Sequence, residues 1–155
     1  MTRATVVVRD AIPDDADALC EIWADFSSDL ERRHRMCADP DDVRRALHRL
    51  AADPSERLVV ASIDDIPVGV VHLRRSPLSP ICDEDAVSMS YLHVLSGYRR
   101  RGVGRALVET AVDWAEEKDS HHIMASAAVR ARDSNRFLTR LGMGQVAVVR
   151  ARLGG

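Results

Sequence analysis

Hydrophobic and polar positions along this chain follow two periods, one typical of strands and one typical of helices. Apolar, β-branched runs bounded by charges or turns predict strands over 5–9, 57–63, 66–74, 85–95, 121–129 and 145–153. Apolar residues spaced three and four positions apart predict helices over 16–27, 41–52, 102–118 and 133–141. Residues 75–84, which contain two prolines, are predicted to form a loop. Strands and helices interleave along the chain, which predicts an α/β fold.

The segment 91–107 is the part of the chain around which the other predicted elements are arranged. It begins as an apolar run, passes through a short turn and the arginines 99–101, and continues as an amphipathic helix from near Gly102. The first turn of a helix has backbone N–H groups without intrahelical partners and carries about half a positive charge. Gly102 and Gly104 allow a bulky anion to approach the backbone, and the arginines add charge around it. The segment therefore predicts a phosphate or pyrophosphate site.

Two well-known phosphate-binding motifs do not match this segment. A dinucleotide fingerprint requires a third glycine where Leu107 stands. A P-loop requires lysine followed by serine or threonine after its second glycine, where this chain has Arg105 and Ala106. Neither a dinucleotide site nor a P-loop is therefore predicted.

The pattern that is present is Arg-x-x-Gly-x-Gly, formed by Arg99, Gly102 and Gly104, after a strand and before an amphipathic helix. It resembles the acyl-CoA-binding motif of the GCN5-related N-acetyltransferase (GNAT) superfamily. Arg-x-Ala-x-x-x-Asp over 9–15 and Val-Gly-Val-Val over 68–71 also resemble segments of that superfamily. The order of elements matches it across essentially the whole chain.

The resemblance implies one domain over 1–155, with a mixed, mostly antiparallel central sheet flanked by helices on both faces. It also implies an N-acetyltransferase that moves an acetyl group from acetyl-CoA to a primary amine of a small molecule, a peptide N-terminus or a lysine. The pyrophosphate is expected on the N–H groups of 100–105, and the pantetheine arm along the strand edge of 92–94. The implied cofactor-binding residues are Leu92, His93, Val94, Arg99, Arg100, Arg101, Gly102, Val103, Gly104, Arg105 and Asn135.

Two departures from the superfamily pattern concern catalysis. Many members carry a tyrosine as general acid four residues before the Gly of a Gly-Phe pair, and that position is Leu138 here. The related asparagine position is Ala131, with Asn135 one turn further on. Positions that carry Glu or His in several members correspond to Ser88 and Ser90, which are not bases at neutral pH, although either can hold a water.

The candidate catalytic residues are therefore Ser88, Ser90 and Asp85, the last at the start of the predicted central strand. His72 and His93 are further candidates for the base. Alternation along an unbroken strand predicts that His93 faces away from Ser88 and Ser90. A water-mediated proton path or capture of an already neutral amine is expected.

A second function remains open at this stage, namely an acyl-CoA-binding sensor or interaction module that has the same fold and no catalysis. The lack of the superfamily's tyrosine and glutamate at these positions favours the non-catalytic module. Turnover of an amine would distinguish the enzyme from the module.

Composition narrows the choice of partners. The chain has 155 residues, 22 Lys and Arg against 24 Asp and Glu, and a net charge of −2, which argues against a nucleic-acid partner. Its 3 cysteines lack metal-ligand or disulfide spacing, so no metal is expected. The N-terminal apolar run is too short for a signal peptide and no run is long enough to span a membrane, so a cytoplasmic protein without membrane contact is expected. Superfamily members often dimerise through terminal strands, which makes a homodimer an expected assembly.

Overall fold

The computed structural model describes residues 5–28, 39–127 and 132–144. Its strands are β1 (Val6–Asp10), β2 (Glu56–Ile63), β3 (Ile66–Ser79), β4 (Cys82–Val94) and β5 (His122–Ala125). Its helices are α1 (Ala16–Ser27), α2 (Pro40–Ala51), α3 (Val103–Glu117) and α4 (Arg132–Arg140), with short 3₁₀ turns at Pro13–Asp15 and Ser96–Tyr98. The strand predicted over 145–153 lies outside the described residues. No helix in the described ranges has the length and apolarity to cross a membrane.

The strands form one sheet in the order β1-β2-β3-β4-β5. The first three pairings are antiparallel, and β5 joins β4 in parallel. On one face α1 and α2 pack Leu19, Ile22 and Leu47 against Val60 and Val70. On the other face α3 lies in the larger core, to which α4 contributes Leu138. The α/β class, the mixed and mostly antiparallel sheet and the helices on both faces are thus confirmed.

The expected loop over 75–84 was wrong. β3 continues to Ser79 and β4 already begins at Cys82, so the two strands form a long hairpin. Proline disfavours a strand because it lacks an N–H, but it is tolerated at an edge. Pairing of β3 with β2 ends at Arg74, so Pro77 lies beyond it, where β3 has β4 as its described neighbour.

β4 contains one extra residue near its end. Its pairing with β3 passes from His72↔Ser90 to Val70↔His93, so Tyr91 and Leu92 together oppose a single residue of β3. Tyr91 has a φ of 56°, in the left-handed region. This geometry is a β-bulge, which bends the strand and ends regular pairing.

The bulge corrects one expectation about side-chain direction. Val70 faces α1 and α2, and residues paired across a ladder point to the same face, so His93 and Ser90 share the α1 side of the sheet. The prediction that His93 faces away from Ser88 and Ser90 was wrong. Alternation along β4 is reset by the extra residue, and the sequence pattern contains no signal for it.

The start of α3 packs directly against the backbone of Gly69 in β3. A Cβ at this position would lie 2.8 Å from Val103 Cγ1 and 3.2 Å from Leu107 Cδ1. Val103 and Leu107 are both buried, so neither side chain has room to move away. Because Val103 opens α3, Gly69 sets the height at which the start of that helix lies over the sheet.

We expect Gly69→Ala to destabilise the fold by about 1–3 kcal/mol, the usual cost of overpacking a core. Urea denaturation measures the change, and Gly97→Ala is the matched control because a Cβ at Gly97 meets no atom within 4 Å. Equal stability of Gly69→Ala and the wild type would show that α3 adjusts freely.

Asp15 joins the start of α1 to β1. Its carboxylate accepts hydrogen bonds from Arg9 at 2.7 and 2.9 Å and from the Ile12 N–H at 2.8 Å. The hydrogen bonds from Arg9 lower the pKa of Asp15, and the bond from Ile12 acts in the same direction against the effect of burial. The ionised carboxylate is therefore the form that the fold stabilises.

A lowered pKa in the folded state means that this contribution is present above the unfolded value, about 3.9, and is lost as the pH falls through the folded value. We expect Asp15→Asn to cost about 1–2 kcal/mol at neutral pH, at the low end for charged hydrogen bonds because the Arg9 side chain is 40% exposed. Urea denaturation over a pH series should show the two proteins converging below about pH 4. A difference independent of pH would contradict the assignment.

Candidate active site

The start of α3 presents unpaired backbone donors. Gly102, with a φ of 82°, precedes the helix, and its carbonyl accepts the first helical hydrogen bond from Ala106 N at 3.0 Å. The N–H groups of Val103, Gly104 and Arg105 therefore have no partner within the helix. Unpaired donors of this kind and the helix dipole favour an anion at the start of a helix.

An open cleft of about 710 Å³ lies in front of these donors. One side is lined by the end of β4, the loop that contains arginines 99–101 (the arginine loop) and the first turn of α3. The other side is lined by α4. Of the predicted cofactor residues, the cleft is lined by Leu92, His93, Val94, Arg99, Arg100, Gly102, Val103, Gly104 and Arg105. The structure therefore brings most of the predicted set to one place.

Arg101 and Asn135 are the two predicted cofactor residues that do not line the cleft. The Arg101 guanidinium lies over the ring of Tyr98, 5.3 Å from its centroid. Asn135 lies on α4 between Ser134 and Arg136, which do line the cleft. The cleft also includes Phe137 and Arg140, for which the sequence analysis made no prediction.

Arg99 holds three parts of the cleft together. Its Nε donates to the Val94 carbonyl at 3.3 Å, and its Nη1 donates to Asp133 of α4 at 2.7 Å. The next residue, Arg100, has a φ of 65°, which lets the chain turn towards Gly102. Arg99 thus fixes the loop, while Arg100 and Arg105 line the cleft from the side of α3, and Arg136 and Arg140 line it from α4.

One edge of β4 is open beside the cleft. Pairing with β5 runs from Ala86 to Met89, and its last contact is the hydrogen bond from Ser126 N to the Met89 carbonyl at 2.8 Å. In the described part of the chain, residues 90–94 have no strand partner on that side. Apart from the Val94 carbonyl, which accepts from Arg99, the backbone groups of this edge can therefore pair with an extended ligand.

The acetyltransferase (GNAT) family model matches residues 17–143. The chain belongs to the GNAT family. Its fold is similar to a transcriptional regulator from Bacillus halodurans C-125, with 22% identity, TM-score 0.82, and 96% of this chain and 100% of that chain covered. No curated protein sequence matches the chain.

Two acetyltransferase structures also share the fold. A ribosomal-protein-alanine N-acetyltransferase from Brucella melitensis biovar Abortus 2308 is 18% identical, with TM-score 0.75 and 97% of this chain and 99% of that chain covered. An aminoglycoside N-acetyltransferase in complex with CoA is 14% identical, with TM-score 0.76 and 97% and 95% covered. At these identities the likeness shows the common fold.

The three candidate catalytic residues lie in different surroundings along β4. Asp85 binds Arg75 at 2.7 Å, and its carbonyl accepts a hydrogen bond from Ser120 Oγ at 2.8 Å. Asp85 precedes Leu92 by about 20 Å of strand, so the structure does not bring it to the cleft. Ser88 and Ser90 are half-buried on the α1 face, where Ser90 pairs with His72 of β3.

Leu138, at the position of the GNAT tyrosine, is buried in the core beneath α3. The helix that carries it, α4, ends at Arg140; Gly142 follows with a φ of 82°, and Met143 N donates to the Leu138 carbonyl at 3.0 Å. This Schellman-type end confirms Gly142 as the C-cap glycine. Leu138 therefore contributes packing, whereas its neighbour Phe137 lines the cleft. Ala131 lies outside the described residues.

A cluster on the α1 side of β4 was missed by the sequence analysis. Asp25 contacts His93 at 2.6 Å, and Trp23, Phe26 and Tyr91 form a group of rings with centroids 5.2 to 5.6 Å apart. The residues come from α1 and from the bulge, which are far apart in sequence. The helical spacing of Trp23 and Phe26 indicated only that they share a buried face.

Proposed function

We propose that this chain transfers the acetyl group of acetyl-CoA to a primary amine, by direct attack while both substrates are bound. The observation that carries the proposal is the meeting of free helix N–H groups and an open strand edge in one cleft. Coenzyme A has a pyrophosphate and an arm with amide groups, and each matches one of these two surfaces. Family membership supports acetyl transfer in general.

The donor set at α3 fits the pyrophosphate in charge and in shape. The first-turn N–H groups point out of the helix, and Arg100 and Arg105 line the same cleft. At Gly104 a Cβ would lie 3.6 Å from the Phe137 ring and 3.9 Å from Val94 Cγ2, at ordinary contact distance. The missing side chain therefore leaves space on the cleft side of the helix, where a phosphate can approach the backbone.

The open edge of β4 would hold the pantetheine arm as an added strand, main chain to main chain. When bound, acetyl-CoA supplies an activated thioester. A strand N–H near Val94 donates to the thioester carbonyl and holds the oxyanion that develops during attack. Alignment of two substrates contributes several kcal/mol, up to about ten.

Catalysis of this kind does not require the tyrosine that Leu138 replaces. A free thiol has a pKa of about 8.5, so a coenzyme A thiolate is a tolerable leaving group without a general acid. Backbone N–H groups and substrate alignment supply the main contributions. The acceptor is proposed to be a primary amine of a small molecule or a peptide, since structures of this fold include enzymes named for aminoglycosides and for a ribosomal-protein alanine.

We expect acetyl-CoA to bind the wild type with micromolar Kd and Gly104→Glu at least about a hundredfold more weakly, because the carboxylate would occupy the pyrophosphate position with like charge. Isothermal titration calorimetry measures both. Gly97→Glu is the matched control, since it adds the same charge nearby at a position with no atom within 4 Å of a Cβ. Equal weakening by both substitutions would indicate a general charge effect and not a site at α3.

A second candidate is an acyl-CoA-binding module without catalysis. The burial of Leu138 in the core and the absence of a carboxylate at Ser88 and Ser90 favour it. Thiol release from acetyl-CoA in the presence of aminoglycosides, polyamines, arylalkylamines and peptides distinguishes the two functions. Binding without thiol release from any of them would favour the module.

A further inference from the structure

Asp25 of α1 and His93 of β4 form a contact that the mechanism above does not use. Asp25 Oδ2 lies 2.6 Å from His93 Nε2, although the residues are 68 positions apart. The His93 side chain is 2% exposed, and that of Asp25 is 33% exposed. The ring of Phe26 meets the imidazole edge-on at 5.7 Å. The imidazole is thus enclosed, while the carboxylate keeps contact with solvent.

The position of this pair relative to the open edge of β4 connects it with the reaction. His93 lies between Leu92 and Val94, within the edge proposed to hold the pantetheine arm, and all three residues line the cleft. The bulge turns the His93 side chain to the α1 face. Among the described elements, α3 and α4 line the cleft, which leaves the α1 side of β4 for an acceptor to approach the thioester.

Packing alone gives no reason for an ionisable pair here. The neighbouring cluster on this face is apolar and includes Leu19, Ile22 and Val70. A buried charged or polar pair is weak evidence for stability, since hydrophobic residues of similar volume often stabilise a fold as well or better. A carboxylate that engages one imidazole nitrogen, however, fixes the tautomer and orientation of the ring, as a proton acceptor requires.

Other titratable side chains near His93 are less suited to accept a proton. On β3, His72 also contacts a carboxylate, that of Glu56 at 3.2 Å, but His72 does not line the cleft. On β4, Tyr91 is half-exposed and packs on Trp23 and Phe26. Asp25 is the titratable group that α1 places against the imidazole. Among these titratable groups, His93 is the one that lines the cleft.

We propose that His93 accepts the proton of the attacking amine and that Asp25 positions its ring. The inference rests on the acetyl transfer proposed above. With Nε2–H donated to Asp25, Nδ1 carries the lone pair. As the amine nitrogen bonds to the carbonyl carbon, the C–S bond breaks, coenzyme A leaves as the thiolate, and the proton of the nitrogen moves to Nδ1. When the product leaves, water that enters its place takes this proton from Nδ1 and restores the starting tautomer.

The test measures thiol release from acetyl-CoA with hydroxylamine, a small nucleophile that is uncharged at neutral pH and needs no specific acceptor pocket. His93→Gln removes the base, and Asp25→Asn removes the positioning carboxylate. Glu84→Gln is the matched control, because Glu84 and His122 also form a carboxylate–imidazole pair at 2.6 Å, but at an exposed position remote from the cleft.

We expect His93→Gln to lower kcat by about 10²–10⁴-fold, the usual contribution of a general base, with the Kd for acetyl-CoA unchanged. Asp25→Asn should cause a smaller loss of kcat, and Glu84→Gln should match the wild type. After the rate is expressed per unprotonated hydroxylamine, which itself gains a proton in weak acid, an acid limb should remain in the wild type and be absent in His93→Gln. A purely structural role of His93 would instead lower the rate equally at every pH.

The outcomes separate this inference from the proposed function. Wild-type turnover that His93→Gln and Asp25→Asn leave unchanged overturns the role of the pair alone. Wild-type protein that binds acetyl-CoA but releases no thiol overturns acetyl transfer, and the inference with it. If circular dichroism shows that His93→Gln does not fold, Asp25→Asn decides the question, since its side chain lies partly in solvent; unchanged kcat and pH profile would then refute the proposal.

Discussion

One extra residue in β4 is the constraint on which the candidate site depends. At Tyr91 and Leu92 two residues oppose one of β3, and the strand bends away from regular pairing. Past this point β5 no longer accompanies β4 in the described residues. The same irregularity opens an edge on one side of the strand and turns His93 towards α1 on the other. In a regular strand, the edge could continue to pair with a neighbouring strand, and the His93 side chain would point away from α1.

The parts of the structure that could be predicted are those written in local sequence. Gly102 and the apolar residues spaced along the helix predict the start of α3. Gly142 predicts the end of α4. The turn between β2 and β3 at Asp64 and Asp65, both with positive φ, was also visible as a pair of polar residues between apolar runs. Each of these signals concerns residues within a few positions of one another.

The parts that could not be predicted depend on contacts between distant segments. Asp25 contacts His93 because α1 packs on the sheet and the bulge turns His93 towards it. The sequence at the bulge contains no glycine or other residue that would indicate it. Gly69 is explained only by Val103 and Leu107, which belong to a helix far along the chain. The two prolines of the β3–β4 hairpin led to the prediction of a loop where the structure has strands. Local sequence does not show where the neighbouring strand ends. Long-range packing decides each of these points.

The open edge of β4 also has a consequence for the protein before it meets a ligand. An unpaired strand edge can recruit the edge of another molecule, and natural sheets keep such edges short or guarded by charge. Here the open stretch covers only the few residues from Ser90 to Val94, and it ends at the arginine loop. Its shortness and the positive charge beside it discourage pairing with a second chain. In the described part of the chain, the open edge therefore offers few backbone groups to the strand of another molecule.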